Sequence, residues 1–354
     1  MDSPQGNFSD VPVLDISGYW AGADARAELA QRLADICHHV GFVVVSQHRV
    51  AQTTIDTAFD ASARLFALPL EDKLLIDKRR SPHFRGWEAE GAEYTNNRPD
   101  IREQVDLWSE HPVRPPGVGP EYLRLLGPNQ WLPESVLPGF RDAVSAWLNE
   151  VEPLANALME LFALGLELPP DTFNKMFGDE RMSLSKLIRY PATPPGQFGV
   201  NAHHDTGFLT ILAPGTTPGL EIQNADGEWI PVPVLPQTLV VNLGEILQAI
   251  TGNYFIATAH RVRTQQPRQS MGYFHGPALG TELNPLALAP HFRQAVALSP
   301  RHQNAGYMAQ RRETLDGVED MQSPHHPQTY GEQLWNYFAR SYPENMAMHY
   351  PDAV

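Results

Sequence analysis

The chain has 354 residues, 42% hydrophobic and 19% charged, enough for a large buried core and for one or two domains. With 26 basic against 41 acidic residues its net charge is -15, so it offers no basic field to nucleic acid or an anionic membrane. Its single cysteine, Cys37, excludes a disulfide framework and a cysteine-based zinc site.

In chain order, "VPVLDIS" (11–17) predicts a short strand. The stretch 24–41 predicts a helix with Leu29, Leu33, Ile36, Cys37 and Val40 on one face and Gly41 at its end, which makes Cys37 an inert core residue. "FVVVS" (42–46) reads as a buried strand, and 51–67 as a helix carried by Ile55, Phe59 and Leu65. Residues 78–120, rich in Pro, Gly, Asn and charge, are expected as an extended surface segment. A long amphipathic pattern over 138–166 contains Pro153, where a kink or a break into two helices is expected.

After Pro170 the pattern changes to short β-like runs: "SLSKLIRYP", "GFLTILAP", "GLEIQ", "EWIPVP", "TLVVNLG", "TAHRVRT" and "SMGYFHG". Turn signals separate them, including the hairpin signature "NADG" at 224–227, and one helix, "EILQAIT" (245–251), interrupts. Such spacing predicts a sandwich or barrel. The expected architecture is therefore mixed α and β, with N-terminal helices packed on a β core and a final helix in "YGEQLWNYFARSYP". The division is 1–175 as an N-terminal helical region with edge strands, 176–285 as the β core and 286–354 as a C-terminal extension, all one integrated unit. No apolar run of about 18 residues is present, and the start "MDSPQGNFSDVPVLDIS" lacks signal-peptide features. The expectation is a cytoplasmic protein, monomer favoured, that acts on a small molecule.

Chemistry concentrates in "VNAHHDTGFLTIL" (200–212). Residues i and i+2 of a strand share a face, so His203 and Asp205 are expected to point together and His204 away, in a supporting or structural role. The strand "TAHRVRT" adds His260. Two imidazoles and one carboxylate form the facial triad that suits non-heme Fe(II), although catalytic zinc also accepts this set. Eight residues beyond His260, Arg268 and Ser270 again share a strand face. An arginine fork with a neighbouring hydroxyl is an anchor for a carboxylate.

H-x-D, a distal His and R-x-S, on short strands in this order, resemble the isopenicillin-N-synthase-like family of Fe(II)- and 2-oxoglutarate-dependent oxygenases. The stretches "FRGWEAEGAEYT", "LIRYP", "GLEIQNADGEWIPVP" and "VVNLGEILQAITGNYF" carry the likeness over most of the chain. The resemblance implies a double-stranded β-helix (jelly roll) core with N-terminal helices packed against it. It also implies iron on His203, Asp205 and His260, and the far carboxylate of 2-oxoglutarate on Arg268 and Ser270 with Tyr190 nearby. Asn242 and Gly244 are read as structural. With O2 as the other cosubstrate, such an enzyme oxidises a C–H bond of a small molecule, an amino acid derivative or secondary metabolite, and releases succinate and CO2. Arg85, Trp87, Glu93, Tyr94, Phe208 and Phe274 are the candidate substrate contacts.

Two departures stand out. His204 occupies a position where the family carries a small or polar residue, and Gln47-His48-Arg49 replaces its usual Asn-His-Gly. "LIRYP" and "RQS" also resemble isopenicillin N synthase, which uses no 2-oxoglutarate, whereas "GYFHGP" and "RSYPEN" resemble bacterial 2-oxoglutarate users, including the ethylene-forming type. Oxidative cyclisation without 2-oxoglutarate and ethylene-forming fragmentation of 2-oxoglutarate therefore stay open as alternatives, as does a catalytically silent jelly-roll binding module.

Overall fold

The computed structural model describes residues 7–115, 117–303 and 329–353. The strands are β1 (Val13–Asp15), β2 (Phe42–Ser46), β3 (Gly86–Glu88), β4 (Tyr94–Thr95), β5 (Arg98–Pro99), β6 (Glu103–Trp108), β7 (Leu184–Tyr190), β8 (Val200–His203), β9 (Leu209–Ala213), β10 (Leu220–Gln223), β11 (Trp229–Pro231), β12 (Thr238–Leu243), β13 (His260–Val262) and β14 (Arg268–His275). The helices are α1 (Ala23–His39), α2 (Gln52–Phe66), α3 (Leu70–Lys73), α4 (Phe140–Gly165), α5 (Glu245–Ile250), α6 (Pro290–Ala297), α7 (Pro300–Gln303), α8 (Tyr330–Ser341) and α9 (Pro343–His349).

Eight strands form one sheet in the order β1-β2-β12-β9-β14-β7-β6-β3, and four form a second in the order β11-β10-β13-β8. The β1–β2 pair is parallel and every other pair in these sheets antiparallel. Apolar residues of both sheets meet between them, with Phe42, Val44, Val240 and Ile188 from the larger and Val200, Leu220, Ile222 and Val262 from the smaller. This is the jelly-roll sandwich. The outer face of the large sheet, through Val43, Ile211, Val241, Met271 and Tyr273, joins a second core with α1, α2 and α4. No helix among the described residues is long and apolar enough to cross a membrane.

Several local expectations are met for the stated reasons. The apolar stripe of α1 is buried, and burial pushes the Cys37 thiol up, which keeps it protonated and inert. The "NADG" turn joins β10 to β11, with Asn224 Oδ1 accepting from the main-chain N–H of Asp226 (3.1 Å) and of Glu228 (2.9 Å).

Two expectations are corrected. Of the kink or break expected at Pro153, the break does not occur, since α4 is one helix through it. Proline costs the N–H that would reach the Asn149 carbonyl. On either side, however, Val144, Trp147, Val151, Leu154, Leu158 and Leu161 are all at or below 3% exposed, each worth about 1.5–3 kcal/mol of burial, and this keeps both halves in one helix. Nor is 78–120 a surface segment throughout: β6, "EQVDLW", is buried along its whole length between β3 and β7. Its charges misled because they are neutralised inside the fold. Glu103 meets Lys73 (2.9 Å) and Arg189, and Asp106 meets Lys78 (2.7 Å) and Lys186 (3.1 Å).

Candidate active site

β8 ends at His203, so the strand does not carry the whole H-x-D motif. His204 and Asp205 lie in the bend that follows. His203 is the register partner of His260 on β13, and antiparallel partners project to the same side. Their rings lie 4.2 Å apart, centroid to centroid. The bend is tied down at the start of α5, where the Glu245 N–H donates to the Asp205 carbonyl at 2.7 Å. Gly244 is needed at this junction, since a Cβ there would stand 2.1 Å from the Gly207 carbonyl oxygen. The close contact presses the helix start against the bend.

This local folding brings Asp205 Oδ1 within 3.7 Å of His203 Nε2 and 3.6 Å of His260 Nε2. The three ligand atoms lie within 4.8 Å of one another. Each histidine donates Nδ1–H to a main-chain carbonyl two residues back, His203 to Asn201 (2.8 Å) and His260 to Thr258 (3.2 Å). That fixes the tautomer and leaves Nε2 free to ligate. Asp205 Oδ2 accepts from Asn242 Nδ2 (2.7 Å) and from Thr210 Oγ1, leaving Oδ1 to face the imidazoles. Burial alone would raise the Asp205 carboxyl, but His260 and His203 hold it well below the carboxylate range. His203 is raised in spite of burial, through its hydrogen bond to Asp205. Two imidazole nitrogens and one carboxylate oxygen, each oriented by its other polar atom, fit the donor chemistry of non-heme Fe(II).

Arg268 and Ser270 sit on the inner face of β14. Phe274, on the same face of that strand, is the register partner of Thr210, and Thr210 that of Asn242. The expected carboxylate anchor and the two residues that hold Asp205 therefore share one side of the large sheet. Arg268 is 2% exposed; its Nη1 donates to Ser270 Oγ (3.3 Å) and its Nε to the Thr217 carbonyl (3.2 Å). It stands 5.0 Å above the ring of Tyr190, its cross-strand partner. Burial lowers the Arg268 pKa, and no carboxylate among the described residues pairs with this cation.

A cavity of about 180 Å³ opens beside the triad, lined by His203 and Asp205 and, from the sequence-based set, by Glu93, Tyr94 and Phe274. His204 also borders this cavity, but it is not among the three residues whose ligand atoms converge. Arg268 instead lines a separate cavity of about 790 Å³ with Arg189, Thr217 and Gln269.

Three expected substrate contacts lie elsewhere. Arg85 is fully buried and donates to the Leu125 carbonyl (3.2 Å) and Asn129 Oδ1 (3.3 Å), and burial pushes it down to about 9. Trp87 is buried, with Nε1 donating to Glu103 Oε2 (3.1 Å). Phe208 packs edge-on against Phe177 in the helix-facing core.

Other contributors escaped sequence reading. Asn242 holds the Asp205 carboxylate, as does Thr210, and both alternate onto the inner sheet face where a purely apolar pattern would place Val or Leu. Leu334, Tyr337 and Phe338 of α8 close the cavity from far along the chain. Arg102, Asp106 and Lys186 supply a charged wall, signalled only by charges inside β-like stretches.

Comparison with known proteins agrees with this geometry. Residues 180–277 match the 2OG-Fe(II) oxygenase superfamily model, and 11–134 match the model described as non-haem dioxygenase in morphine synthesis N-terminal. A 2-oxoglutarate-dependent dioxygenase of Gibberella zeae is 35% identical over 81% of this chain and 75% of its own length. A homoarginine-6-hydroxylase of Glycine max is 29% identical over 79% of this chain and 89% of its own length. Among solved structures, a full-length Neurospora crassa protein in complex with alpha-KG superimposes with a TM-score of 0.68 at 25% identity, covering 78% of this chain and 88% of that one.

Proposed function

The chain belongs to the 2OG-Fe(II) oxygenase superfamily and is a 2-oxoglutarate-dependent dioxygenase, and from that premise we propose the roles of its residues. His203, Asp205 and His260 hold the iron, and Arg268, Ser270 and Tyr190 hold the far carboxylate of 2-oxoglutarate. The observation that carries this is the convergence of three ligand atoms within 4.8 Å, each fixed by a second hydrogen bond. Iron bound there supplies, with 2-oxoglutarate and O2, the oxidation of a substrate C–H bond and the release of succinate and CO2.

The protein's own part is positioning. Asn242 and Thr210 keep Asp205 Oδ1 turned toward the histidines. Arg268, dry and paired among the described residues with neutral groups, gains its anionic partner from the cosubstrate, and the planar fork fixes which way that molecule lies. The cavity holds a small molecule against Glu93, Tyr94 and Phe274 and keeps bulk water from the reacting centre. Its mixture of rings and charge suits an amino acid derivative or a partly apolar secondary metabolite, and the homoarginine hydroxylase among the relatives supports the former. Regions 1–175, 176–285 and 286–354 act as one catalytic unit, because β6, β8 and α8 all contribute to the cavity lining.

The test is optical. Anaerobic protein given Fe(II) and 2-oxoglutarate develops a weak visible metal-to-ligand band, and His203→Ala abolishes it. Wild-type protein that shows no band, and releases no CO2 from labelled 2-oxoglutarate with any substrate screened, would overturn the assignment.

A further inference from the structure

The inner face of β3, β6 and β7 carries charge where a sandwich interior is normally apolar. Lys78 Nζ donates to Asp106 Oδ2 (2.7 Å) and to Glu88. Lys186 Nζ donates to the same Asp106 Oδ2 (3.1 Å) and to both Glu93 oxygens (3.2 Å each). Arg102 Nη2 bridges Glu93 (2.7 Å) and Asp100 (3.1 Å). Four carboxylates, Glu88, Glu93, Asp100 and Asp106, thus share three cations, Lys78, Arg102 and Lys186.

The shortfall has a location. Both ammonium groups converge on one oxygen of Asp106, a residue 3% exposed. Its other oxygen, Oδ1, is buried and has no hydrogen-bond partner among the described residues. Asp106 lines the same cavity as His203 and Asp205, and the apolar part of that lining includes Trp108, Phe274 and Phe338. A buried carboxylate oxygen without a partner is costly, and a cationic donor satisfies it best. A substrate anion would have to compete for cations that the four carboxylates already hold. Arg102 Nε, also buried and without a partner among the described residues, offers a donor to a substrate oxygen beside the cation.

We propose that Asp106 selects the substrate, its Oδ1 receiving an ammonium, guanidinium or amidinium group while an apolar body packs on Trp108, Phe274 and Phe338. This rests on the reading of the cavity as the substrate site. The substrate's charge becomes the fourth cation of the network. Burial raises the Glu88 carboxyl against the pull of Lys78.

The experiment uses the full chain loaded anaerobically with Fe(II) and 2-oxoglutarate, after the visible band has shown that the metal site is formed. Matched probes are titrated calorimetrically: benzylamine, 2-phenylethylamine, hexylamine and agmatine, each against the alcohol of the same length. At least one amine or guanidine should bind about tenfold or more tightly than its alcohol, the scale set by leaving a buried polar group unpaired. Asp106→Asn should abolish that preference. Lys186→Met, which removes a competing cation from Asp106, should strengthen it, a gain that misfolding cannot imitate. Wild-type protein that shows the band but prefers no amine over its alcohol, or Asp106→Asn protein that keeps the preference, overturns the proposal. Absence of the band counts against the metal assignment instead.

Discussion

Asn242 Nδ2 donates to Asp205 Oδ2 across 2.7 Å, although 37 residues separate the two in the chain. The bond joins β12 of the large sheet to the bend after β8, and with Thr210 it decides which carboxylate oxygen faces His203 and His260. Removing this partner should loosen the metal site without touching a ligand. Asn242→Ala is expected to weaken Fe(II) affinity by about 10–100-fold, the usual scale for a residue that orients a ligand. Titration of the apoprotein with Fe(II) measures it, and unchanged affinity would mean that Thr210 alone suffices.

Arg268 pairs with no carboxylate among the described residues, so its replacement should act on the cosubstrate more than on stability. Arg268→Ala is expected to weaken 2-oxoglutarate binding by about 2–5 kcal/mol, as for loss of a buried charged partner. Titration of the visible band reads this directly. Wild-type affinity in the variant would move the carboxylate elsewhere, the cavity beside Arg189 and Gln269 being the place to look.

Phe208 separates packing from binding. Because it lies in the helix-facing core at 0% exposure, Phe208→Ala should cost about 3–5 kcal/mol of stability. Phe274→Ala, at the cavity, should instead impair substrate turnover at smaller cost in stability. Urea denaturation beside succinate assays distinguishes the pair, and a reversed pattern would return Phe208 to the substrate site.

His302 gives a pH dependence. Its Nε2 lies 2.9 Å from the His38 carbonyl and its Nδ1 2.6 Å from Ser299 Oγ, so the neutral ring donates to the first and accepts from the second. Burial, with the neighbouring His38, pushes its pKa from 6.5 down to about 4. Between those values the unfolded chain binds the proton and the folded one does not, so stability falls as pH drops through that window. Wild-type protein should have a lower urea midpoint at pH 5 than at pH 7. His302→Gln should show a smaller difference, since His38, His48, His83 and His275 still contribute in the same direction. An identical difference in the variant would show that His302 is not held neutral.

Much of the site was legible because metal chemistry demands particular residue types. Imidazole and carboxylate cannot be exchanged for other polar groups, so His203, Asp205 and His260 stand out, and R-x-S shares a strand face by simple alternation. Alternation also paired His203 with Asp205, although β8 stops at His203 and the aspartate is fixed by the Glu245–Asp205 hydrogen bond instead of by the strand. Arg85 and Trp87 became candidates through the family resemblance, which places a loop over the iron there, but the fold buries both against neighbouring main-chain and side-chain acceptors.

From residue order alone came the periodicities of α1, α2 and β2, the β-rich second half, the triad and its arginine, for these depend on neighbours within a few positions or on irreplaceable chemistry. Only the tertiary structure decided what surrounds them. It let α4 pass through Pro153, turned β6 inward with its charges paired, and gave Asn242 a ligand to hold. It also left Asp106 Oδ1 without a hydrogen-bond partner among the described residues, on a residue that lines the same cavity as His203 and Asp205. Each of these depends on contacts between residues distant in the chain. The energy of a buried charge or a broken helix turn belongs to its surroundings, which no local pattern records.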